Sequence, residues 1–397
     1  RALLAAVLAI GSDLELESVL RQIVESAASV ADAEYAALGV IGSDGMLGRF
    51  ITTGVDEDTI AKIGHYPEGH GILGLLIREP HPLRLHDLTE HPESYGFPPH
   101  HPPMTTFLGV PIQVRNAVFG NLYLTQKRGG GDFTSEDEEA LTALARAAGV
   151  AVENADLYQR LRRATEDFQR RLLPELPHLP GLDLQARYVP ADDAPRIGGD
   201  WYDLITLPDR VPCLMVGDVM GHGMEAAAVM SQISNILRVV AFDEQEPPSR
   251  ILQRLDEILH SLHGGPMATV IVARLEPAPT GRMMVWASAG HPPPLVTTPD
   301  GAARHLEGEP GVPLGVDPRE PHSDHTVHLP PGTTVVLHTD GLIEAKGQAI
   351  DEGMSHAATI AATHATAPLD RLCDALVAAR ADTRHDDIAI LAVRIAG

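Results

Sequence analysis

The feature that most constrains this chain is one uninterrupted helical pattern, running from Ser135 to about Leu173 and ended by Leu173-Pro-Glu-Leu-Pro-His-Leu-Pro-Gly181. An ordinary globular helix spans about 8–20 residues, so this one is too long for a single small core. Proline lacks the backbone donor and clashes with the preceding turn, so the prolines after Leu173 cannot continue it. The chain is thereby divided into a first unit, a helical connector and a C-terminal stretch from residue 182 that is long enough for its own core. At roughly 150 residues per domain, 397 residues accommodate this. Ser135 and Glu138 have capping-box spacing at the helix start. Ala147, Val150, Asn154, Leu157, Leu161, Ala164 and Phe168 step by three and four, a heptad seam with Asn154 as a register-setting polar position. The seam predicts a dimeric connector; the other reading is a helix packed on its own domain.

Before the helix the pattern is mixed. Leu14–Val30 reads as a helix, with Leu16, Leu20, Ile23, Val24 and Ala27 on one stripe. Tyr35–Val40 and Leu47–Thr53 read as strands joined by a Ser43-Asp44-Gly45 turn, and Thr106–Arg115 and Ala117–Thr125 as a second pair. After the break, Leu182, Leu184, Ala186 and Tyr188 alternate as a strand. Val211–Val216, Ala268–Leu275, Arg282–Ala287, Thr333–His338 and Ile388–Ile395 read as further strands. Gly223–Phe242, Pro248–Leu262 and Leu369–Ala381 read as helices. Strands far apart in sequence with a few long helices predict a layered α/β sandwich.

The 30 Lys and Arg against 54 Asp and Glu leave a formal charge of −24. Such a surface repels phosphate backbones and anionic lipid, which argues against nucleic acid and membrane as partners. The apolar run Ala2–Ile10 is shorter than the roughly 20 residues a bilayer requires and shows no cleavage site. The chain begins with Arg1 rather than Met, so removal of an upstream segment is expected. Its 2 cysteines, Cys213 and Cys373, lie among apolar residues and read as buried thiols, which fits a reducing, cytoplasmic compartment.

Asp200, Asp218, Asp340 and Asp386 each sit beside a strand end or a glycine turn. Taken singly, such an Asp is usually just a turn residue. Brought together they would repel unless a cation neutralised them, and oxygen ligands without thiolates favour Mg²⁺ or Mn²⁺ over zinc.

The segments around them carry a resemblance. Gly198-Gly-Asp-Trp-Tyr-Asp203, Gly217-Asp-Val-Met-Gly-His-Gly223, Ala287-Ser-Ala-Gly-His-Pro-Pro-Pro-Leu295, His338-Thr-Asp-Gly-Leu-Ile-Glu344 and His385-Asp-Asp-Ile-Ala-Ile-Leu391 stand in one order. From Leu172 to Ile395 the chain resembles the SpoIIE/RsbU-like branch of the metal-dependent (PPM, type 2C) serine/threonine protein phosphatases. The resemblance implies an αββα sandwich with two Mn²⁺ or Mg²⁺ ions at one end. It implies that Asp218 bridges the metals, Val219 offers its carbonyl, Asp200 holds one ion, and Asp340 and Asp386 hold the other. Such a pair, about 4 Å apart, activates a water for in-line attack on phosphorus. Eukaryotic members carry a histidine two residues after the bridging Asp; here that position is Met220, and His222 is the nearby candidate general acid. Their phosphate-gripping Arg has Arg196 as its weak counterpart. His291 is expected to be structural, as are Asp203 and Asp387 beside the ligands. Glu344 and Asp351 are expected to bear on the local charge and carry no assigned role.

Pro67-Glu-Gly-His-Gly71, Gly96-Phe-Pro-Pro-His-His-Pro-Pro-Met104, Phe107-Leu-Gly-Val-Pro111 and Phe119-Gly-Asn-Leu-Tyr-Leu-Thr125 carry a second resemblance. Residues 12–153 resemble a GAF domain, and more closely the haem-binding GAF domains of oxygen- and redox-sensing histidine kinases. That implies His101 as proximal haem ligand and Tyr123 as the distal-pocket tyrosine. A haem-free pocket for another small ligand, or a purely structural dimerisation unit, remains open on the residues alone.

Together the resemblances imply an α+β layered chain: a GAF sensor over 12–153, a coiled-coil linker over 154–180 and a phosphatase domain over 181–397. The expected activity is sensor-regulated dephosphorylation of phosphoserine or phosphothreonine by a cytoplasmic homodimer. Its expected substrate is a phosphorylated STAS-type anti-sigma-factor antagonist. The alternative is a ligand- or haem-binding regulatory scaffold with weak or no catalysis, against which the presence of all four aspartates argues. A different metallohydrolase, such as a nucleotide phosphatase, fits the chemistry but not the five ordered segments.

Overall fold

The computed structural model describes residues 2–11, 13–42, 44–64, 71–94, 96–115, 117–191, 198–244, 246–380 and 386–396. Arg1, Ser12, Ser43, residues 67–70, Arg196, Ala381 and His385, all invoked above, lie outside them. The chain forms two compact units, Arg1–Leu161 and Arg162–Gly397.

The first unit contains helices α1 (Ala2–Ile10) and α2 (Leu16–Val30), strands β1 (Ala33–Ile41) and β2 (Leu47–Thr53), and helices α3 (Glu57–Ile63) and α4 (Gly71–Arg78). Strands β3 (Leu83–Leu85), β4 (Phe107–Val114) and β5 (Ala117–Lys127) follow, then the long α5 (Ser135–Leu172). The strands form one antiparallel sheet in the order β2-β1-β5-β4-β3. Strand alternation decides its two faces. Leu122 and Leu124 join Ile23 of α2 and Leu144 of α5 in the main core, whereas Tyr123 joins Ile72 and Leu76 of α4 on the other side.

One expectation changes in detail. The N-terminus of α5 is capped by Thr134 and Asp137 rather than Ser135 and Glu138. The Asp137 N–H donates to the Thr134 hydroxyl at 3.2 Å, and the Thr134 N–H donates back to the Asp137 carboxylate at 2.8 Å. Lys127, 2.6 Å from that same carboxylate, draws Asp137 into this role, while Glu138 pairs with Arg84 at 3.2 Å. The early apolar run is helix α1, with Ala6 and Ile10 in the first unit's core.

The second unit begins within α5. It contains β6 (Leu182–Val189), β7 (Trp201–Thr206), β8 (Pro212–Val219), α6 (Met224–Glu244), α7 (Pro248–His263), β9 (Ala268–Pro277), β10 (Arg282–Ala289), β11 (Leu295–Thr297) and β12 (Ala303–His305). Strands β13 (His325–Leu329) and β14 (Thr334–His338), helices α8 (Ile350–Thr363) and α9 (Leu369–Ala378) and strand β15 (Ile388–Ile395) complete it. One antiparallel sheet runs β13-β10-β9-β8-β7, the other β12-β11-β14-β15-β6. Period-two alternation sorts each strand into an inner and an outer face. In β8, Leu214 and Val216 enter the core between the sheets, while Cys213 and Met215 pack under α6 and α7. In β15, Leu391 and Val393 face the inner core, while Ile388 and Ile390 pack under α8 and α9. The layers are therefore helix, sheet, sheet, helix. Both cysteines are buried and unpaired, and among the described residues no helix is long and apolar enough to cross a membrane.

Candidate functional site

Glycines let the chain segments at one end of the sandwich approach closely. A Cβ on Gly198 would lie 1.3 Å from the Asp387 carboxylate, and one on Gly199 would lie 2.3 Å from the Val219 carbonyl. The loop before β7 can thus lie against the end of β8 and the segment entering β15 only because both positions are glycine. Asp200 enters from that loop, Asp218 from the end of β8 opposite Thr269, Asp340 from the turn after β14, and Asp386 from just before β15. Residues far apart in sequence thus share one electrostatic neighbourhood.

Each carboxylate feels the others. Burial, then Asp218, Asp387 and Asp340, hold the Asp200 carboxyl well above the usual range. Burial, then Asp340, push Asp218 up to about 7, offset by a hydrogen bond with Asp200. Burial, then Asp386 and Glu344, push Asp340 up to about 6. Burial raises Asp387 to about 6, although the Ala191 N–H donates to it at 2.8 Å. The cluster opens outward: Asp200 and Asp387 are buried, Asp218 and Asp340 half-buried, and Asp386 exposed. Among the described residues no protein donor reaches the buried Asp200 Oδ2 or Asp340 Oδ1. Among the described residues no three His, Cys, Asp or Glu side chains already stand as a coordination sphere. Repulsion between uncompensated carboxylates opposes so tight an approach. The donor set, all oxygen and short of protons, fits a hard divalent cation.

The remaining named residues separate by what they touch. Asp203 accepts both Arg238 nitrogens, at 2.9 and 2.8 Å, and the Leu204 N–H at 2.8 Å, so its oxygens are committed. His291 is buried, 2.9 Å from the Thr269 hydroxyl through Nδ1 and 3.0 Å from the His338 carbonyl through Nε2. Burial pushes it down to about 3, so it is neutral and ties β9 to β14. His222 is exposed, and its charge helps lower Asp387. Glu344 is exposed but raises Asp340, while Asp351 lies in the first turn of α8. Sequence reasoning passed over Thr339, whose hydroxyl accepts the Ala389 N–H at 2.9 Å and partly offsets the rise of Asp200. It also passed over Tyr188, whose hydroxyl lies with the Asp387 carboxylate against Gly198, 2.8 Å from where a Cβ would stand. Thr339 lay inside a quoted segment; Tyr188 carried only the alternation of β6.

The first unit holds a separate cavity of about 510 Å³ on the α3 and α4 side of its sheet. Its lining is mainly apolar and includes Phe50, Ile72, Phe107, His101 and Tyr123. His101 stacks on Phe97 with ring centroids 4.5 Å apart, and its Nδ1 lies 2.8 Å from the Pro102 carbonyl. Donation to that carbonyl makes Nε2 the nitrogen with the lone pair. The neighbouring His100 is exposed, with φ of 67°. Burial raises the Tyr123 phenol, so it stays protonated, with its hydroxyl 3.4 Å from the Leu73 carbonyl.

Residues 208–396 match the family described as Stage II sporulation protein E (SpoIIE), and residues 13–153 match the GAF domain. Over 180 residues the chain is 26% identical to phosphoserine phosphatase RsbU of Bacillus subtilis, covering 45% of this chain and 51% of that one. Protein IcfG of Synechocystis is 24% identical over 205 residues, covering 45% of this chain and 32% of that protein. This chain therefore spans about half, or less, of the length of these curated relatives. Among solved structures, the RsbU and RsbW domains of a Mycobacterium tuberculosis protein are 36% identical with a TM-score of 0.50, over 55% of this chain and 61% of that one. The chain carries a GAF domain followed by a SpoIIE-type PPM phosphatase domain.

Proposed function

We propose that this chain, a GAF domain joined to a SpoIIE-type PPM phosphatase domain, is a divalent-metal-dependent protein phosphatase acting on phosphoserine or phosphothreonine. The observation that carries the reading is the aspartate cluster, in which buried oxygens of Asp200 and Asp340 find no proton donor among the described residues. Asp200, Asp218, Asp340 and Asp386, with the Val219 carbonyl, would hold two Mn²⁺ or Mg²⁺ ions. Such ions supply an acidified water and polarise a phosphoryl oxygen. Thr339 orients Asp200, and His291 holds β14 against β9 so that Asp340 and Asp218 face each other. Exposed His222 is the group that gives the leaving serine oxygen its proton. Met220 and Met224 beside it are each 67% exposed, a soft apolar rim suited to a protein surface. The similarity to phosphoserine phosphatase RsbU supports a phosphoserine protein as substrate; the family resemblance read in the sequence makes that protein a phosphorylated STAS-type anti-sigma-factor antagonist, in the cytoplasm.

The apolar cavity is read as the sensor's ligand site, with haem as its occupant. Its size, its apolar lining and the Nε2 lone pair of His101 fit an axially ligated flat group. Exposed Val150, Leu157, Leu161 and Phe168, at 61, 48, 57 and 42%, support pairing of α5 with a second copy. Sedimentation of Leu157→Asp as a monomer checks that pairing.

The deciding experiment follows phosphate release from a phosphoserine protein by metal-stripped enzyme, before and after Mn²⁺ is added. Release only with Mn²⁺ is expected. Full activity after chelation defeats the reading.

A further inference from the structure

Arg380, just past the end of α9, is 5% exposed. Among the described residues no carboxylate acts on its charge; burial alone moves its pKa, downward. A guanidinium taken out of water without a counter-charge is costly. Its partners are neutral. Nε donates to the Leu342 carbonyl at 2.6 Å, in the Asp340–Leu342 turn after β14, and Nη1 donates to Gln348 Oε1 at 3.2 Å. Nη2 is buried and finds no acceptor among the described residues. Arg380 and Gly353 line a small cavity of about 10 Å³ between α8 and α9. The space exists because residue 353 is glycine: a Cβ there would collide with the Ile343 carbonyl and lie 2.9 Å from Nη2. A cavity of this size holds one water-sized body. A water would bring two hydrogens, yet beyond exposed His356 the other lining side chains, Leu342, Ala357, Ile360 and Leu376 among them, offer only hydrocarbon. An anion brings no hydrogens and supplies the missing negative charge.

We propose that the seam between α8 and α9 is a binding site for one small monovalent anion of chloride size, held by Arg380 Nη2. A polyatomic anion such as phosphate is too large for the space. The formal charge of −24 opposes anions at long range, but such a field is screened beyond roughly 8 Å at physiological salt, whereas the guanidinium touches its ligand. The seated anion fixes the guanidinium that holds the Leu342 carbonyl, and so stabilises the turn after β14. The site uses no metal and does not rest on the reading above.

The test is chloride binding to the full chain in chelator, read from the broadening of the chloride NMR line, with bulky gluconate replacing chloride to hold the ionic strength constant. Wild type is expected to show broadening that saturates with chloride. Arg380→Gln is expected to weaken that binding roughly tenfold or more, the worth of a hydrogen bond to a charged group. The melting point of wild type should rise with chloride and saturate over the same range, and that of Arg380→Gln should not. Broadening that never saturates, or that saturates alike in both proteins, means an adventitious ion only and overturns the site. Should Arg380→Gln not fold, a wild-type crystal soaked in bromide decides alone. An anomalous peak within hydrogen-bond reach of Arg380 Nη2 is expected, and the lack of one there overturns the proposal.

Discussion

The aspartate cluster of the second unit and the cavity of the first are opposite kinds of incompleteness. In the cluster, charge is not balanced: carboxylates raise one another, and among the described residues two buried oxygens have no donor. In the cavity, charge is absent but space is not filled: about 510 Å³ is lined mostly by carbon. What a region lacks tells what would complete it. Missing positive charge calls for a cation, and missing contacts call for an apolar body.

The strongest way to break this contrast is to remove charge from the cluster. Asp218→Asn is expected to lower kcat on the order of 10³-fold, since a metal site contributes several kcal/mol to the transition state. Circular dichroism should show the fold retained, and activity within tenfold of wild type would show that charge balance is not what the cluster lacks. Next in size is the effect of the cation on stability. Mn²⁺ at a hundred times its dissociation constant should add about 2.7 kcal/mol. Calorimetry should find this gain in the wild type and not in Asp218→Asn.

Acidity sharpens the contrast further. Asp218 and Asp340 have folded values raised to about 7 and about 6, above the usual carboxylate range. In metal-stripped protein their contribution to stability is therefore fully present below about pH 4 and is lost as pH rises to the folded values of about 6 and about 7. The melting point of stripped wild type should fall relative to Asp218→Asn between about pH 4 and about pH 7 and level off above that. A constant gap would mean that these carboxyls are not destabilised by one another. The smallest effect is expected at the cavity. Ala37→Phe adds a ring beside Tyr123 where space is available, so it should cost less than about 1 kcal/mol, below the usual penalty of overpacking. It should also abolish the Soret band acquired by wild type on haem addition, as should His101→Ala. Uptake of haem by both variants, with an unchanged spectrum, would remove the cavity from the argument.

Legibility differed between elements for physical reasons. Strands β8, β9 and β15 were readable because each alternates between a helix-covered and a sheet-covered face, both apolar. Strand β7 was not, because Asp203 sits in its middle; only Arg238, arriving from α6, makes that buried carboxylate tolerable. Helix α8 was missed because its run of Ala, Gly, Thr and His shows little apolar stripe, its helicity being supported by packing of Ala357 and Ala361. The cap of α5 shifted by one residue because Lys127, distant in sequence, claims Asp137.

Local order along the chain was sufficient for most of the elements and for singling out the candidate aspartates, because periodicity and turn chemistry act over a few residues. Only the tertiary structure brought Asp200, Asp218, Asp340 and Asp386 to one end of the sandwich and committed Asp203 to Arg238. Those outcomes depend on which strands become neighbours and on where glycine permits backbones to touch, and spacing along a sequence does not encode distance in space.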